Sequence, residues 1–481
     1  MARTARRARP LSSRLARPLV WTAVAAYGVV FASLSVLRYR GFETGRFDLG
    51  NMVQAVWSTA HGHPLRVTNL HGAQVSRLAA HFDPILVVFA PFWRLWPHPS
   101  LLLVTQAVAV ALGALPVFWL TGKHLSSERA ALGFALAYLL YPATEWLTLN
   151  EFHPVALACP LLLFAIWYLD EDRLLAFAAF ALVACLTKEE IPLVVAGIGI
   201  WYALARHRWL IGGAIAVAGV VVSAVAIKLV IPHFHGAESH FYNRYRAAGG
   251  SAGGIVKTAF TDPGKLLSLA FDHRGAHYLL DLALPLAALS VLGPLVLIAA
   301  LPELVLNLLS SADAQSSIHY HYTAGEIPAL VVAAVFGAKR LGRHRDAAAA
   351  AVVLAAIVGN YFLGPMPIWR FLPGGETLQA NAAHVSGHDR AAARALRLVP
   401  ANAAVTATNS LGSHLSQRKW IFSFPHVEQT QWVVVDERKP SIGDHNSKDE
   451  GLRRIRQFER DPRFRRVFAD DGVLVYRRKQ R

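Results

Sequence analysis

From Pro18 to Leu37 the chain runs for twenty residues without one charged side chain, the length a helix needs to cross the roughly 30 Å hydrocarbon core of a bilayer. Ten more apolar stretches follow: Leu101–Leu120, Ala130–Leu149, Pro154–Leu169, Leu174–Thr187, Ile191–Ala205, Trp209–Ile231, His277–Val291, Pro294–Leu308, Thr323–Gly337 and Ala347–Leu363. In lipid every backbone N–H and C=O must be satisfied internally, so such stretches are read as helices. Only 16% of residues are charged against 54% hydrophobic, too few for the surface of a soluble protein. The expected fold class is an α-helical polytopic membrane protein with about eleven transmembrane helices. The three spans between residues 154 and 205 are short for a straight crossing, which leaves local bilayer thinning or re-entrant pairs open there.

Net charge is +17, and its distribution orients the chain. Arg3, Arg6, Arg7, Arg9, Arg14 and Arg17 precede the first span, and the short loops TGKHLSSER, RHR and KRLGRHR are basic. By the positive-inside rule residues 1–17 form a basic cytoplasmic N-terminus and residues 18–363 the transmembrane domain. The first exported loop is then 38–100 and the second 232–276, in a multi-pass protein of the cytoplasmic (inner) membrane. Orientation and anionic membrane lipids account for the cationic excess, and no nucleic acid partner is implied. No small-residue cleavage site precedes Arg38, so Pro18–Leu37 is read as a retained helix and not a signal peptide. Cys159 and Cys185 lie inside apolar runs and support neither a disulfide nor a thiolate metal site.

Within the first loop, PILVVFAPFWRLW (84–96) is too short to cross and reads as an interfacial helix. Residues 364–481 change character. Short β-like runs (AVTAT, KWIFSF, QWVVVD, GVLVY) alternate with amphipathic stretches (HDRAAARALRLV, KDEGLRRIRQFERD), the pattern of an α/β domain on the extracytoplasmic side. Without a GxGxxG or P-loop, nucleotide binding there has no support.

Chemistry is sought at the exported ends of the spans, where this topology gathers polar clusters. Asp48 in GRFDLGN precedes apolar residues at helical spacing; it is either an N-cap or a general base or metal ligand. His81 and Asp83 in HFDP, and Glu151 and His153 in EFHP, repeat one form: two ionisable groups around a Phe, then Pro. Each is a turn or a grip on a cation or phosphate. Lys188, Glu189 and Glu190 in TKEE are interface snorkels or a phosphate-neutralising lysine held by acids. His319, Tyr320 and His321 in IHYHYT belong to an aromatic belt or a sugar- and phosphate-binding strip. Asp48, Asp83, Glu151 and His153 are the candidate ligands for a divalent cation, the only cofactor suggested. Glu303 is the notable acid inside a span.

With FDLGNMVQAVW, HFDPILVVFAPFW, EFHPVALACPLLLFA, LTKEEIPL and SIHYHYTAGEIP in view, the chain resembles a bacterial family of predicted membrane proteins, domain of unknown function 2079. More distantly it resembles the GT-C class of membrane glycosyltransferases. That resemblance implies a first exported loop with an essential acid near its start, matched here by Asp48, and a soluble C-terminal domain outside. It also implies a second polar pair near a lipid phosphate, matched by HFDP, although histidines stand here in place of a more familiar acid or lysine.

The function expected is transfer of a sugar from a polyprenyl-phosphate-linked donor to an envelope glycan, lipid or protein acceptor at the outer face of the membrane. Asp48 would be catalytic; Lys188, His81 and His319 would offset charge on the departing lipid phosphate. The alternatives are a lipid or solute transporter or flippase, which wants more ionisable groups at the bilayer midplane, and a non-catalytic envelope scaffold. The topology is tested by reporter fusions: those after His207 and Gly342 should report the cytoplasm, and those after Gly250 and Gly412 the opposite side. An extracytoplasmic signal at Gly342 would separate the polar clusters onto two faces.

Overall fold

The computed structural model describes residues 15–235, 240–373, 384–441 and 447–480. The basic arm 1–14 and residues 236–239 of the second loop lie outside the described residues. Among those described, four helices are long and apolar enough to cross a membrane: Ala16–Arg40, Ser100–Leu125, Trp209–His235 and Gly342–Leu363. The other apolar stretches form shorter or interrupted helices.

Helix α1 (Ala16–Arg40) shows how the lipid-facing and protein-facing sides separate. It buries Val20, Val24, Tyr27 and Phe31 at helical spacing and leaves Leu19, Trp21, Val29 and Val30 exposed, as a helix at the wall of a membrane bundle should. A π-helical turn, Arg46–Gly50, leads into α2 (Asn51–Ala60). The hairpin β1 (Arg66–Thr68) and β2 (Gln74–Ser76) follows. The stretch read as one interfacial helix is a 3-10 turn, Pro84–Val88, and a short helix α3 (Phe89–Leu95).

Helices α4 (Ser100–Leu112) and α5 (Ala114–Leu125) meet at Gly113, where the Tyr138 ring occupies the space a Cβ would need. The Tyr138 hydroxyl donates to the Val110 carbonyl at 2.8 Å. The expected span Ala130–Leu149 is likewise two helices, α6 (Glu128–Leu140) and α7 (Pro142–Leu149). Pro142 has no N–H to continue the ladder, and Asn360 reaches across to the Leu140 carbonyl at 2.9 Å. These are the repairs an interrupted helix needs inside a membrane.

Next come α8 (Ala158–Asp170), α9 (Leu174–Cys185), α10 (Ile191–Arg206) and α11 (Trp209–Val225), with a π-helical turn joining α11 to α12 (Ile231–His235). Helices α10 and α11 pack so closely that a Cβ on Gly199, Gly212 or Gly219 would strike the partner backbone. At the end of α8 Asp170 gathers Lys123 and His124 from α5 and Arg206 from α10.

Three short helices, α13 (Ala252–Thr261), α14 (Pro263–Ala270) and α15 (His273–Ala283), follow. The stretch from His277 to Leu308, expected as a hairpin of two spans, does not form two continuous helices. Beyond α15 the chain breaks into 3-10 turns around Ala287 and Ala288, both with left-handed φ. It resumes as α16 (Pro294–Leu297) and α17 (Leu301–Leu309). Three prolines at 285, 294 and 302 explain why a continuous helix fails. Helices α18 (Glu326–Arg340) and α19 (Arg345–Leu363) complete the bundle.

The C-terminal residues fold around a five-stranded sheet of order β4-β3-β5-β7-β6, with β3 (Val405–Ala407), β4 (Ile421–Ser423), β5 (Trp432–Asp436), β6 (Phe464–Asp470) and β7 (Val473–Arg478). Strands β3, β4 and β5 are parallel; β7 runs antiparallel to β5 and β6. Helices α20 (Gly387–Leu396), α21 (Asn409–His414) and α22 (Lys448–Phe458) cover it. Hydropathy does not reveal strand β6, because it is an edge strand with the adjacent Arg465 and Arg466 exposed.

The sheet unit and the bundle share a core. Phe42, just past α1, packs among Ala392, Ala395, Val405 and Leu411. The His414 ring is stacked between Tyr39 and Phe42, each centroid 4.0 Å away, and its Nε2 is buried without a partner. Burial, only partly opposed by a hydrogen bond that the ring donates to the Tyr39 backbone, pulls the His414 imidazole down to about 3 from the ordinary 6.5. The folded form thus takes up a proton less readily than the unfolded chain, so His414 adds stability above about pH 6.5 that is lost as pH falls toward 3. Against His414→Phe, which keeps the stack and has nothing to protonate, the wild type should lose about 1.4 kcal/mol per pH unit in that window. Thermal midpoints of the two proteins compared across it give the answer; parallel curves would refute it.

Candidate functional site

Asp48 sits in the π-helical turn Arg46–Gly50, and that turn is held by an acid from far along the chain. Glu151 accepts the Gly45 N–H at 2.9 Å with one carboxylate oxygen and the Leu49 N–H at 3.0 Å with the other. These are first-turn donors that a helix cannot satisfy for itself. Asp48 is therefore not the N-cap of α2; its side chain is free for another partner, and no side chain caps that helix. Its carboxylate meets His153 Nε2 at 3.2 Å, while His153 Nδ1 faces the Asn150 carbonyl at 2.8 Å. Both ring nitrogens of His153 thus face acceptor oxygens.

The EFHP turn that delivers Glu151 and His153 is fixed by a residue that had not been singled out. Gln106 of α4, fully buried, donates to the carbonyls of Leu147, Thr148 and Glu151 and accepts the His153 N–H at 3.0 Å. A lone glutamine in VTQAVAV was the available signal. Glu151 itself has φ of 50°, the left-handed region that a non-glycine residue rarely adopts.

A second pair of turns is zipped beside the first. His81 Nδ1 meets Glu189 at 2.8 Å, the Phe82 N–H donates to the other Glu189 oxygen at 2.9 Å, and the Ile85 N–H donates to the Leu186 carbonyl at 3.1 Å. Lys188 pairs with Glu190 at 2.5 Å and lies over the Tyr322 ring at 5.1 Å. The His321 ring stacks on His153 with centroids 3.7 Å apart and its Nδ1 faces the Asn150 side chain at 3.3 Å, tying the IHYHYT run to EFHP. Arg244 reaches Tyr322 and Gln315.

Three of the sequence candidates have other neighbours. Asp83 is buried, with one oxygen paired to Arg77 at 2.9 Å and the other without a hydrogen-bond partner among the described residues. His319 packs edge-on to Trp146 and meets Ser317 at 2.8 Å, while Tyr320 is exposed. The metal proposal also changes. Among the described residues no three His, Cys, Asp or Glu side chains could hold a metal ion together. Both Glu151 oxygens are taken by backbone N–H groups and one Asp83 oxygen by Arg77, so Asp48, Asp83, Glu151 and His153 do not come together as ligands of one divalent cation and no step is routed through one.

Electrostatics separate the acids. For Asp48 burial acts upward, but the His153 hydrogen bond and the charges of His153, Arg77 and His81 outweigh it and hold the carboxyl below its ordinary value. Burial, reinforced by the Asp48 charge, pushes Glu151 well up. Glu189, despite burial, is pulled down to about 2 by His81 and Lys188, whereas burial raises Glu190. Lys188 is held above its ordinary value: Glu190 and Glu189 overcome its burial. The His321 imidazole is depressed, first by burial and then by the surrounding cations. The site thus presents a carboxyl held below its ordinary value, about 38% exposed, hydrogen-bonded to His153 and close to the buried Arg77.

This division of labour predicts opposite effects of two acid substitutions. Glu151→Ala leaves buried N–H groups without acceptors and should destabilise by about 1–3 kcal/mol for each. Asp48→Asn, at a half-exposed position, should leave the melting temperature nearly unchanged. Equal thermal shifts for the two variants would contradict the assignment of scaffold and reactive carboxylate.

Comparison with known proteins agrees with this geometry at the level of fold. The structure resembles that of ArnT from Cupriavidus metallidurans bound to undecaprenyl phosphate, with a TM-score of 0.53 and 15% identity over 94% of this chain and 97% of that one. The same protein in the apo state gives a TM-score of 0.50 and 13% identity over 94% and 98%. The GT-C resemblance thus holds for the fold as a whole. No curated protein sequence matches the chain. The sequence matches the family described as Predicted membrane protein (DUF2079) over residues 38–475, and the chain belongs to that family.

Proposed function

We propose that this protein is a membrane glycosyltransferase that takes a sugar from a polyprenyl-phosphate-linked donor at the outer face of the cytoplasmic membrane. The observation that carries the reading is the Asp48 carboxyl, half-exposed and hydrogen-bonded to His153, in a fold shared with a protein crystallised with undecaprenyl phosphate. In this reading the N-terminus is cytoplasmic, the chain makes about eleven crossings in all, and the C-terminal sheet unit lies outside with the site.

Asp48, oriented by its hydrogen bond with His153, accepts the proton of an acceptor hydroxyl as that oxygen bonds to the anomeric carbon. The bond between the anomeric carbon and the phosphate oxygen breaks with its electron pair, leaving a lipid phosphate. Lys188 and His81 offset the charge that develops there, in a water-poor site where such stabilisation is largest. His319, held by Ser317 and Trp146, takes no part. A lipid donor arrives sideways from the bilayer, which agrees with a site built from loops at the ends of spans.

The test uses purified protein and native membranes. Lys188→Met should weaken undecaprenyl phosphate binding about tenfold, the loss of one charge-assisted hydrogen bond. Asp48→Asn should leave that binding intact and slow consumption of lipid-linked sugar by about 100-fold or more, the usual contribution of a general base. Wild-type protein that binds no polyprenyl phosphate, or consumption unaffected by Asp48→Asn, would reject the reading.

A further inference from the structure

The parallel strands of the C-terminal sheet have the order β4-β3-β5, so the chain leaves β3 toward one side and returns to the other. In open α/β sheets the crevice outside the carboxyl ends of the strands, at such a switch point, is where ligands bind. Here that place is filled by the chain itself. Asn409, two residues beyond β3, accepts the Arg46 N–H at 2.8 Å and the Phe47 N–H at 3.3 Å through its side-chain oxygen. Its own N–H donates to the Ser441 carbonyl at 2.9 Å, past the end of β5. Lys439, also past β5, donates to the Gly41 carbonyl at 2.9 Å and pairs with Glu43 at 2.7 Å. The Thr44 and Ser413 hydroxyls meet at 2.9 Å.

The side chain of Arg46 extends from this crevice along the free edge of β4. It donates to Ser423 at 2.8 Å and to the Ile421 carbonyl at 2.9 Å, and it crosses to the Thr68 carbonyl at 2.6 Å. The fit leaves no room. A Cβ on Gly45 would lie 2.8 Å from the Asn409 amide nitrogen, one on Gly412 would lie 2.9 Å from the Arg46 Cβ, and one on Gly50 would lie 2.7 Å from the Ser416 hydroxyl.

We propose that the C-terminal α/β unit is an intramolecular clamp, its crevice filled by residues 41–47, and that Asn409 is a positioning residue for Asp48. The N–H groups of the turn are divided between two side chains: Glu151 of the bundle takes those of Gly45 and Leu49, and Asn409 of the sheet unit takes those of Arg46 and Phe47. Asp48 lies between the two grips. Bundle and sheet unit thus each hold one side of the turn that carries the carboxylate, and no small ligand enters the crevice. The consequence for catalysis rests on the proposed role of Asp48; the clamp itself does not.

Hydrogen exchange on the full-length protein in lipid nanodiscs tests the clamp. Asn409→Ala should speed exchange of the Arg46 and Phe47 amides at least tenfold while β5 and β7 stay protected. Asn409→Asp, which keeps the acceptor oxygens, should restore slow exchange. Gly45→Ala, which pushes the Asn409 amide away from outside the sheet unit, should reproduce the alanine result without touching that unit's fold. Unchanged exchange at 46–47 in both alanine variants, or identical exchange in Asn409→Ala and Asn409→Asp, would overturn the clamp. If the clamp holds and Asp48 is the reacting group, Asn409→Ala also lowers kcat for consumption of lipid-linked sugar at unchanged undecaprenyl phosphate binding, and Asn409→Asp restores it. Altered exchange in Asn409→Ala with consumption insensitive to Asp48→Asn would leave the clamp standing and remove only the glycosyltransferase reading.

Discussion

Each oxygen of the Glu151 carboxylate accepts one backbone N–H of the turn around Asp48, and the geometry of the site depends on those two bonds. Short turns at the start of a helix leave donors that must find acceptors, and one carboxyl group satisfies two of them, one with each oxygen. Glu151 is itself carried on a turn tied down by Gln106, whose amide bonds three carbonyls and one N–H of residues 147–153. The rigidity of α4 thus passes through Gln106 to Glu151 and from there to Asp48. Such a chain of fully satisfied buried polar groups sets a position more narrowly than apolar packing, because each bond fails within a few tenths of an ångström.

The same arrangement decides which acid does what. Asp48 and Glu151 lie on touching turns, and ionising both in a poorly hydrated place is unfavourable. The histidine and the nearby cations resolve this in favour of Asp48, and burial keeps Glu151 the harder to ionise. A parallel division occurs one turn away, where His81 and Lys188 favour charge on Glu189 and burial disfavours it on Glu190. Acids whose environments pull them in opposite directions are a common mark of functional sites. The electrostatic case for chemistry rests on this opposition more than on the number of acids.

The interruptions of the membrane helices belong to the same design. Helix α4 ends at Gly113 and α7 begins at Pro142, the two lie in contact, and Gln106 of α4 donates to the carbonyls at the end of α7. Each break frees backbone groups that lipid cannot satisfy, and Tyr138 and Asn360 supply the missing partners. Polar residues in the spans therefore serve the loops, through the bends they make tolerable.

The sequence by itself determined the membrane character of the chain, because hydropathy over a bilayer thickness is a local property that no tertiary contact reverses. It also determined four of the five C-terminal strands, whose β-branched runs are buried on both sides of the sheet, and it marked the ends of spans as places where polar groups gather. Only the tertiary structure decided the roles within those places. Asp83 and Glu151 look in sequence like Asp48, yet Arg77 occupies the first and backbone N–H groups the second. His321 joins His153 while His319, two residues earlier, turns to Trp146. Gln106, Arg77 and Asn409 had no motif to announce them. A side chain's protonation, exposure and reach are set by partners that the fold brings from distant parts of the chain, and Asn409 meets Arg46 only because the carboxyl end of β3 is built against the end of α1.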